Sequence, residues 1–528
     1  MRRSSVRALL AWSLFWCGFV SSASAAERSV ADAEAACTAL VAQDFSANSD
    51  APAHIMSATV QPKGQGLRAL CRVQGYVAPN TGFEISLPLS GWNGKFFQAG
   101  CTGSCGFAAS SDWVRECDYP LDKGYACIVS DMGHRSTASD GLWAWRNTEA
   151  RQDFGFRATH RTALIGKAIT RAFYAAAPSR AYFMGCSTGG RQALVSAQRF
   201  PDDFDGIIAG APVIREGGTS MSFLWNLRAL APVDGKPLFD ATTLALVKRA
   251  ALAAGDAADG LADGVIADPS ALAFDPRSLL CKPGQPASCL SPAQAEAVAK
   301  VYAGPRTGDG RLLGRVGGFM PGSEDNWLGY VTPPGGRAGA WRSGVDTTRY
   351  IMTDWGPGWD YPDFDFDRDA PRLAEMDSLY AASNPDLRDF EARGGKLIIY
   401  HGWNDPAVAP LGSIDYYQAV QRAMGGADSA KRFARLFMVP GMNHCFSGDG
   451  AFAVDWISAL EAWVERDQPP DRLRAAHLVG NHDSPSMIRR FPFDTALERF
   501  TRPLYPWPLK AHVAADRSAD DMSGWRPE

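Results

Sequence analysis

The stretch that most restricts this chain is Gly185-Cys186-Ser187-Thr188-Gly189, behind the apolar run 181–184 and ahead of the helix-forming run 191–199. A Gly-x-Ser-x-Gly pattern between a strand and a helix is a nucleophile elbow. The serine sits on a sharp turn with its hydroxyl clear of the backbone, and the N–H groups that follow can face a developing oxyanion. Glycine lacks a Cβ, which opens so tight a turn sterically. The five-residue pattern alone also falls on ordinary surface turns; the strand before it and the helix after it favour the catalytic reading.

An elbow of this kind needs a sheet to stand on, and the chain alternates accordingly. A capped helix over 29–45 and strands near 71–77, 83–87, 94–98 and 125–129 lead to a helix over 161–176, the elbow, and a compact apolar strand at 206–210. Strands alternating with helices imply a mostly parallel sheet covered on both faces. The alternation stops from about 213 to 386, where Gly, Pro and Asp dominate and only scattered helical runs such as 241–254 and 292–302 occur. It resumes at 395–400 and 434–439. The expected organisation is a core from 26–212 and 387–528 with a lid domain, 213–386, inserted between its halves.

Each resumed strand ends on a residue that Ser187 would need. The first runs into His401-Gly402-Trp403-Asn404-Asp405 and the second into Pro440-Gly441-Met442-Asn443-His444-Cys445. A serine hydroxyl needs a base, here His444, and the base needs a carboxylate, here Asp405, to fix its tautomer and steady its positive charge. His401 and His134 are rival bases, and Asp131 is a rival acid. The order Ser, Asp, His is that of the α/β-hydrolases. The glycine-rich turn Gly100-Cys101-Thr102-Gly103, behind an early strand, is placed to donate an N–H to an oxyanion.

The N-terminus reads as an export signal: Arg2, Arg3 and Arg7, an apolar stretch over 8–20, then Ala23-Ser24-Ala25. The stretch is shorter than the ~20 residues of a spanning helix. Residues 1–25 are therefore taken as a signal peptide and the mature chain as secreted or periplasmic, with no membrane attachment after the signal is removed. A net charge of −4 offers no basic face for nucleic acid. Of 11 cysteines, Cys17 leaves with the signal, so 11 − 1 = 10 remain, an even number suited to disulfides in an oxidising compartment. Proximity suggests Cys37 with Cys71, Cys101 with Cys105, Cys117 with Cys127 and Cys281 with Cys289, although spacing does not fix connectivity. Cys186 and Cys445 are left, and each adjoins a residue assigned to the site. If Ser187 and His444 are within hydrogen-bonding reach, these two can approach the ~4.4–6.8 Å Cα separation of a disulfide.

Cys-Ser, Asp and His-Cys in this order resemble the tannase and feruloyl esterase family. The resemblance extends over nearly the whole mature chain, including Trp92-Asn93-Gly94-Lys95-Phe96-Phe97, Gly189-Gly190-Arg191, Tyr400-His401-Gly402 and Val439-Pro440-Gly441-Met442-Asn443-His444-Cys445. It implies a secreted serine carboxylic ester hydrolase with an α/β-hydrolase core and a large lid, forming an acyl-enzyme on Ser187. It also implies an oxyanion hole from the N–H groups of Thr188 and Gly103, and a small aromatic ester, gallate or hydroxycinnamate in type, as substrate. A mono(2-hydroxyethyl) terephthalate type of half-ester is the alternative within the family. A non-catalytic binding protein on a hydrolase fold is the alternative of another class, against which the intact Ser, Asp and His set weighs.

The segment 256–265 clusters carboxylates among glycines, which by itself fits either a solvated turn or a site for a hard cation. The resemblance implies a structural calcium on the side chains of Asp256, Asp259 and Asp263 and the carbonyls of Leu261 and Val265, with no organic cofactor. Gly255 stands where relatives often carry a cysteine, so a supporting disulfide is missing. In the lid, Trp327, Trp341, Trp355, Trp359, Tyr361, Phe364 and Phe366 accompany Arg337, Arg342 and Arg349. Most of these aromatics are expected to form the lid's own core, with one or two lining a pocket.

Overall fold

A computed structural model describes residues 29–48, 50–62, 68–106, 117–137, 139–231, 237–284, 288–327, 342–479, 495–514, 517–519 and 522–528. The signal-peptide reading of 1–25, together with Arg337 and Trp341, lies outside the described residues. Nine strands form the main sheet: β1 (Ala53–Gln61), β2 (Leu70–Val77), β3 (Thr81–Pro88), β4 (Lys95–Ala99), β5 (Ala126–Ser130), β6 (Arg180–Cys186), β7 (Gly206–Gly210), β8 (Lys396–Gly402) and β9 (Ala434–Val439). Their order is β1-β2-β3-β5-β4-β6-β7-β8-β9. Pairing is antiparallel from β1 to β5 and parallel from β5 through β4 to β9. This is the α/β architecture expected of the alternation.

Period two sorts the parallel strands' side chains between two cores. Phe96, Ile128, Phe183, Ile207, Leu397 and Leu436 pack on one face. Their neighbours Phe97, Val129, Tyr182, Ile208, Ile398 and Phe437 pack on the other. Because both faces are covered, these strands read as nearly continuous apolar runs. The helices Ala158–Tyr174 and Thr188–Arg199 pack on the sheet, as does Trp456–Arg466, whose N-cap Asp455 accepts from Ser458 N–H.

β7 and β8 are parallel neighbours, yet the chain leaves the sheet at Gly210 and rejoins it only at Lys396. Between them lie the helices Glu216–Ala229, Ala241–Gly255 and Pro292–Ala303. The last starts on a Ser291/Gln294 capping box with proline at its first position, which explains its sharp beginning. Phe239, Leu244, Val247, Val298, Val301, Phe319 and Trp327 form an apolar cluster of their own within this excursion. A second cluster joins Phe364, Phe366, Trp355 and Trp359 to Met132 and Phe154 of the sheet half.

Differences from expectation sit at the edges. The first helix is α-helical only over Val30–Ala39, with a 3₁₀ turn, Leu40–Ala42, after it. The edge strand β1 and the three-stranded sheet of Ala453–Val454, Leu473–Leu478 and Glu498–Leu504 were not expected from the sequence. Among the described residues, no helix is long and apolar enough to cross a membrane.

Candidate active site

Three strand ends converge. Ser187 joins β6 to the helix Thr188–Arg199 with φ 64° and ψ −119°, a conformation that costs a non-glycine residue roughly 1–3 kcal/mol. The surroundings hold it there: Ser187 N–H donates to Gly210 O, while Ser187 O accepts from Arg191 and Val213 N–H. Gly185 is required by contact, since a Cβ there would lie 2.6 Å from Gly189 C. A Cβ on Gly189 would lie 2.8 Å from Cys101 O, so the elbow and the 100–103 turn touch backbone to backbone.

Asp405 lies just past β8 and is fully buried. Its Oδ1 accepts from Ala407 N–H at 2.7 Å and Val408 N–H at 2.8 Å. Its Oδ2 accepts from His444 Nδ1 at 2.7 Å and lies 3.1 Å from His401 Nε2. Burial alone would raise this carboxyl, but the two imidazoles outweigh it and hold the group well below the usual carboxylate range. It is an anion at any working pH. His444 follows β9 on a turn and keeps part of its ring accessible, with 24% of its side-chain surface exposed.

Cys186 and Cys445 are bonded, S–S 2.06 Å, with Cα atoms 5.9 Å apart. The bond brings the serine turn and the histidine turn side by side. The described contacts of His444 include the Nδ1 bond to Asp405 and not one from Ser187 Oγ to Nε2; such catalytic contacts are commonly long until substrate is bound. The other four pairs, Cys37–Cys71, Cys101–Cys105, Cys117–Cys127 and Cys281–Cys289, are also bonded.

Thr188 is the first residue of its helix, so its N–H has no acceptor within the helix and points with the positive end of the helix dipole. Its Oγ1 donates to Gly103 O at 2.6 Å, and Cys101 N–H donates to Gln192 Oε1 at 3.1 Å. These bonds fix the 101–103 turn against the elbow, bringing together the two residues expected to share an oxyanion.

The rivals are engaged elsewhere. His134 is buried, stacked on Trp143 with ring centroids 3.6 Å apart, and its Nε2 lies 2.7 Å from Ser104 O; burial lowers its pKa to about 4. Asp131 accepts from Gly82 and Gly133 N–H, and burial raises it to about 7. His401 is wholly buried, and both its ring nitrogens are taken by Ser413 Oγ, Val408 O and Asp405 Oδ2.

Sequence reasoning gave no sign of a brace from the excursion to both catalytic loops. Asn404, beside Asp405, donates from Nδ2 to Gly322 O at 2.9 Å. Asn443, beside His444, exchanges amide hydrogen bonds with Asn326 at 2.8 and 3.1 Å. Lys248 pairs with Asp449 at 2.6 Å and also with Asp325.

In the 256–265 segment the donors are all hard oxygens, the chemistry of calcium. Burial raises the Asp259 carboxyl to about 6, and the charges of Asp263 and Asp256 add to that effect; a cation would relieve this crowding. Asp256 Oδ1 accepts from Asp263, Gly264 and Val265 N–H, and Asp263 pairs with Arg502 at 2.8 Å. Among the described residues no three acidic, His or Cys side chains group as they would around a metal. Binding would require Asp256 and Asp263 to exchange those partners for the ion.

A family model described as tannase and feruloyl esterase matches residues 64–526. An uncharacterized esterase of Xanthomonas campestris pv. campestris is 34% identical, covering 94% of this chain and 91% of its own. The mono(2-hydroxyethyl) terephthalate hydrolase of Piscinibacter sakaiensis is 33% identical, over 86% of this chain and 83% of its own. Among solved structures, feruloyl esterase B from Aspergillus oryzae superposes with a TM-score of 0.79 at 27% identity, covering 94% of this chain and 100% of its own.

Proposed function

The chain belongs to the tannase and feruloyl esterase family, and from that premise we propose that it is a secreted serine esterase that cleaves aromatic carboxylic esters through an acyl-enzyme on Ser187. The observation that carries the site assignment is the 2.7 Å bond from His444 to the buried Asp405, on a histidine whose neighbour Cys445 is bonded to the serine's neighbour Cys186.

Ser187 Oγ attacks the ester carbonyl as His444 Nε2 takes its proton. Asp405, anionic and held by its two backbone donors, keeps the His444 proton on Nδ1 and steadies the imidazolium. The tetrahedral oxyanion rests on Thr188 N–H, aided by the helix dipole, and on Gly103 N–H. His444 then gives its proton to the departing alcohol, and water activated by the same imidazole releases the acid. Export is supported by the basic and apolar N-terminal pattern and by five disulfides. Calcium would be held by Asp256, Asp259, Asp263 and the carbonyls of Leu261 and Val265 and would take no part in the chemistry; it would tie the 256–265 segment to itself, in place of the backbone donors of Asp256 and the Asp263 pairing with Arg502.

Ser187→Ala, folded as judged by circular dichroism, should lose hydrolysis of methyl gallate and methyl ferulate by about 10⁴-fold or more. Turnover retained at the wild-type level would remove Ser187 from the mechanism. The Piscinibacter relative is named for a terephthalate half-ester, so mono(2-hydroxyethyl) terephthalate belongs in the same assay. Faster cleavage of it than of the two methyl esters would favour the half-ester reading.

A further inference from the structure

We infer that His401 is a positioning residue for the acid of the triad, a second imidazole that holds Asp405 Oδ2 while His444 uses the same oxygen. The inference rests on the reading of Ser187, His444 and Asp405 as the catalytic set.

His401 lies in β8, whose residues 397–402 are all buried, and its side chain has no exposed surface. A buried imidazole must have both nitrogens satisfied by protein groups. Nε2 faces Val408 O at 2.9 Å and Asp405 Oδ2 at 3.1 Å. A carbonyl oxygen only accepts, so Nε2 carries the hydrogen and shares it between the two. Nδ1 lies 2.8 Å from Ser413 Oγ, a hydroxyl that donates to the lone pair left on the neutral ring. Ser413 is itself buried, near the start of the helix Leu411–Ala423. Val408 and Ser413 therefore select one tautomer of His401, the one that can donate to Asp405.

Asp405 thus receives four donors: Ala407 and Val408 N–H on Oδ1, and His444 and His401 on Oδ2. The carboxylate plane has a single orientation, and so has the His444 ring that hangs from it. The two histidines are the titratable groups with the largest influence on Asp405. Because His401 takes part of the charge density on Oδ2, it moderates how strongly Asp405 favours the His444 imidazolium. Without that donor the imidazolium gains stability, and the acidic limb of the kcat/KM profile moves to higher pH.

The test uses the full chain with His401→Leu, which removes the donor, His401→Gln, which returns an N–H near the Nε2 position, and Ser413→Ala, which frees Nδ1. Rates on methyl ferulate are taken across pH 5–9, with thermal unfolding as the check on folding. The expected result for His401→Leu is a kcat about 10-fold lower with KM little changed, and an acidic limb displaced upward by about half a pH unit. His401→Gln should recover most of both effects. Ser413→Ala should shift the limb in the same direction by less. A folded His401→Leu whose limb overlays the wild type overturns the inference, as does a His401→Gln that is equally impaired. If His401→Leu does not fold, an unmoved limb in Ser413→Ala overturns it. Fluorophosphonate labelling of the wild type separates the two levels. Failure to label Ser187 defeats the catalytic assignment, whereas a labelled Ser187 with unshifted limbs defeats only the role of His401.

Discussion

Three side chains, Asp131, Glu324 and His134, are ionisable, buried and outside the proposed chemistry, and they leave a mark on stability. Burial raises Asp131 to about 7 from an unfolded value of ~3.9. A raised acid binds its proton in the folded state after the unfolded state has lost it. Its contribution is therefore complete below about pH 4 and is lost as pH climbs through about 7. Glu324, also pushed up to about 7 by burial, acts with the same sign. His134, lowered to about 4, acts with the opposite one, losing its contribution as pH falls through that value. A difference measurement isolates the aspartate: the Tm of the wild type minus that of Asp131→Asn should decrease from pH 4 to about pH 7 and level off above it, and a constant difference would contradict this reading. None of these shifts was legible in the sequence, where Asp131 and His134 appeared only as rivals for catalytic roles. The candidate residues Ser187, Asp405 and His444 could be picked out because each lies on the turn or loop after an apolar strand, whereas burial and its partners are set by residues far away in the chain.

The same division holds for elements. The central strands could be read because cover on both faces makes them short apolar runs, such as Gly206–Gly210, every residue of which is buried. β1 could not, because only Ala53 and Ala58 of its nine residues are buried and the rest face outward or lie half-covered. The excursion's helices were partly visible through their caps, as with Ser291 and Gln294. Its brace on the catalytic loops was invisible, since Asn326 and Asn443 are ordinary loop asparagines until the fold sets them amide to amide. That pair joins the excursion to the loop of the base, so its loss should loosen the His444 turn. Asn326→Ala and Asn443→Ala are each expected to lower kcat several-fold with KM little changed, and the double variant to be no worse than either single one, the signature of one shared interaction. Additive losses would show that the two amides act independently.

At the scale of the whole molecule, the Cys186–Cys445 bond closes a sequence separation of 259 residues that contains the entire excursion. In the loop-entropy model such a closure restricts the unfolded chain by about 5.6 kcal/mol, and in the folded chain it fixes the distance between the turns of Ser187 and His444. The 256–265 segment meets the last third of the chain through Asp263 and Arg502, and calcium on Asp263 would replace that contact with bonds inside the segment. Chelation with EGTA should lower Tm, and added calcium restore it, while a Tm indifferent to both would remove the ion from the account. All of these features hold one geometry, and the proposed mechanism has Ser187 acylated within it. Rapid-quench peptide mass spectrometry during turnover of an activated ferulate ester tests that claim most directly. A feruloyl mass is expected on the peptide carrying Ser187, disappearing as hydrolysis is completed; full turnover with that peptide unmodified, or with the acyl group on another residue, would contradict the proposed mechanism.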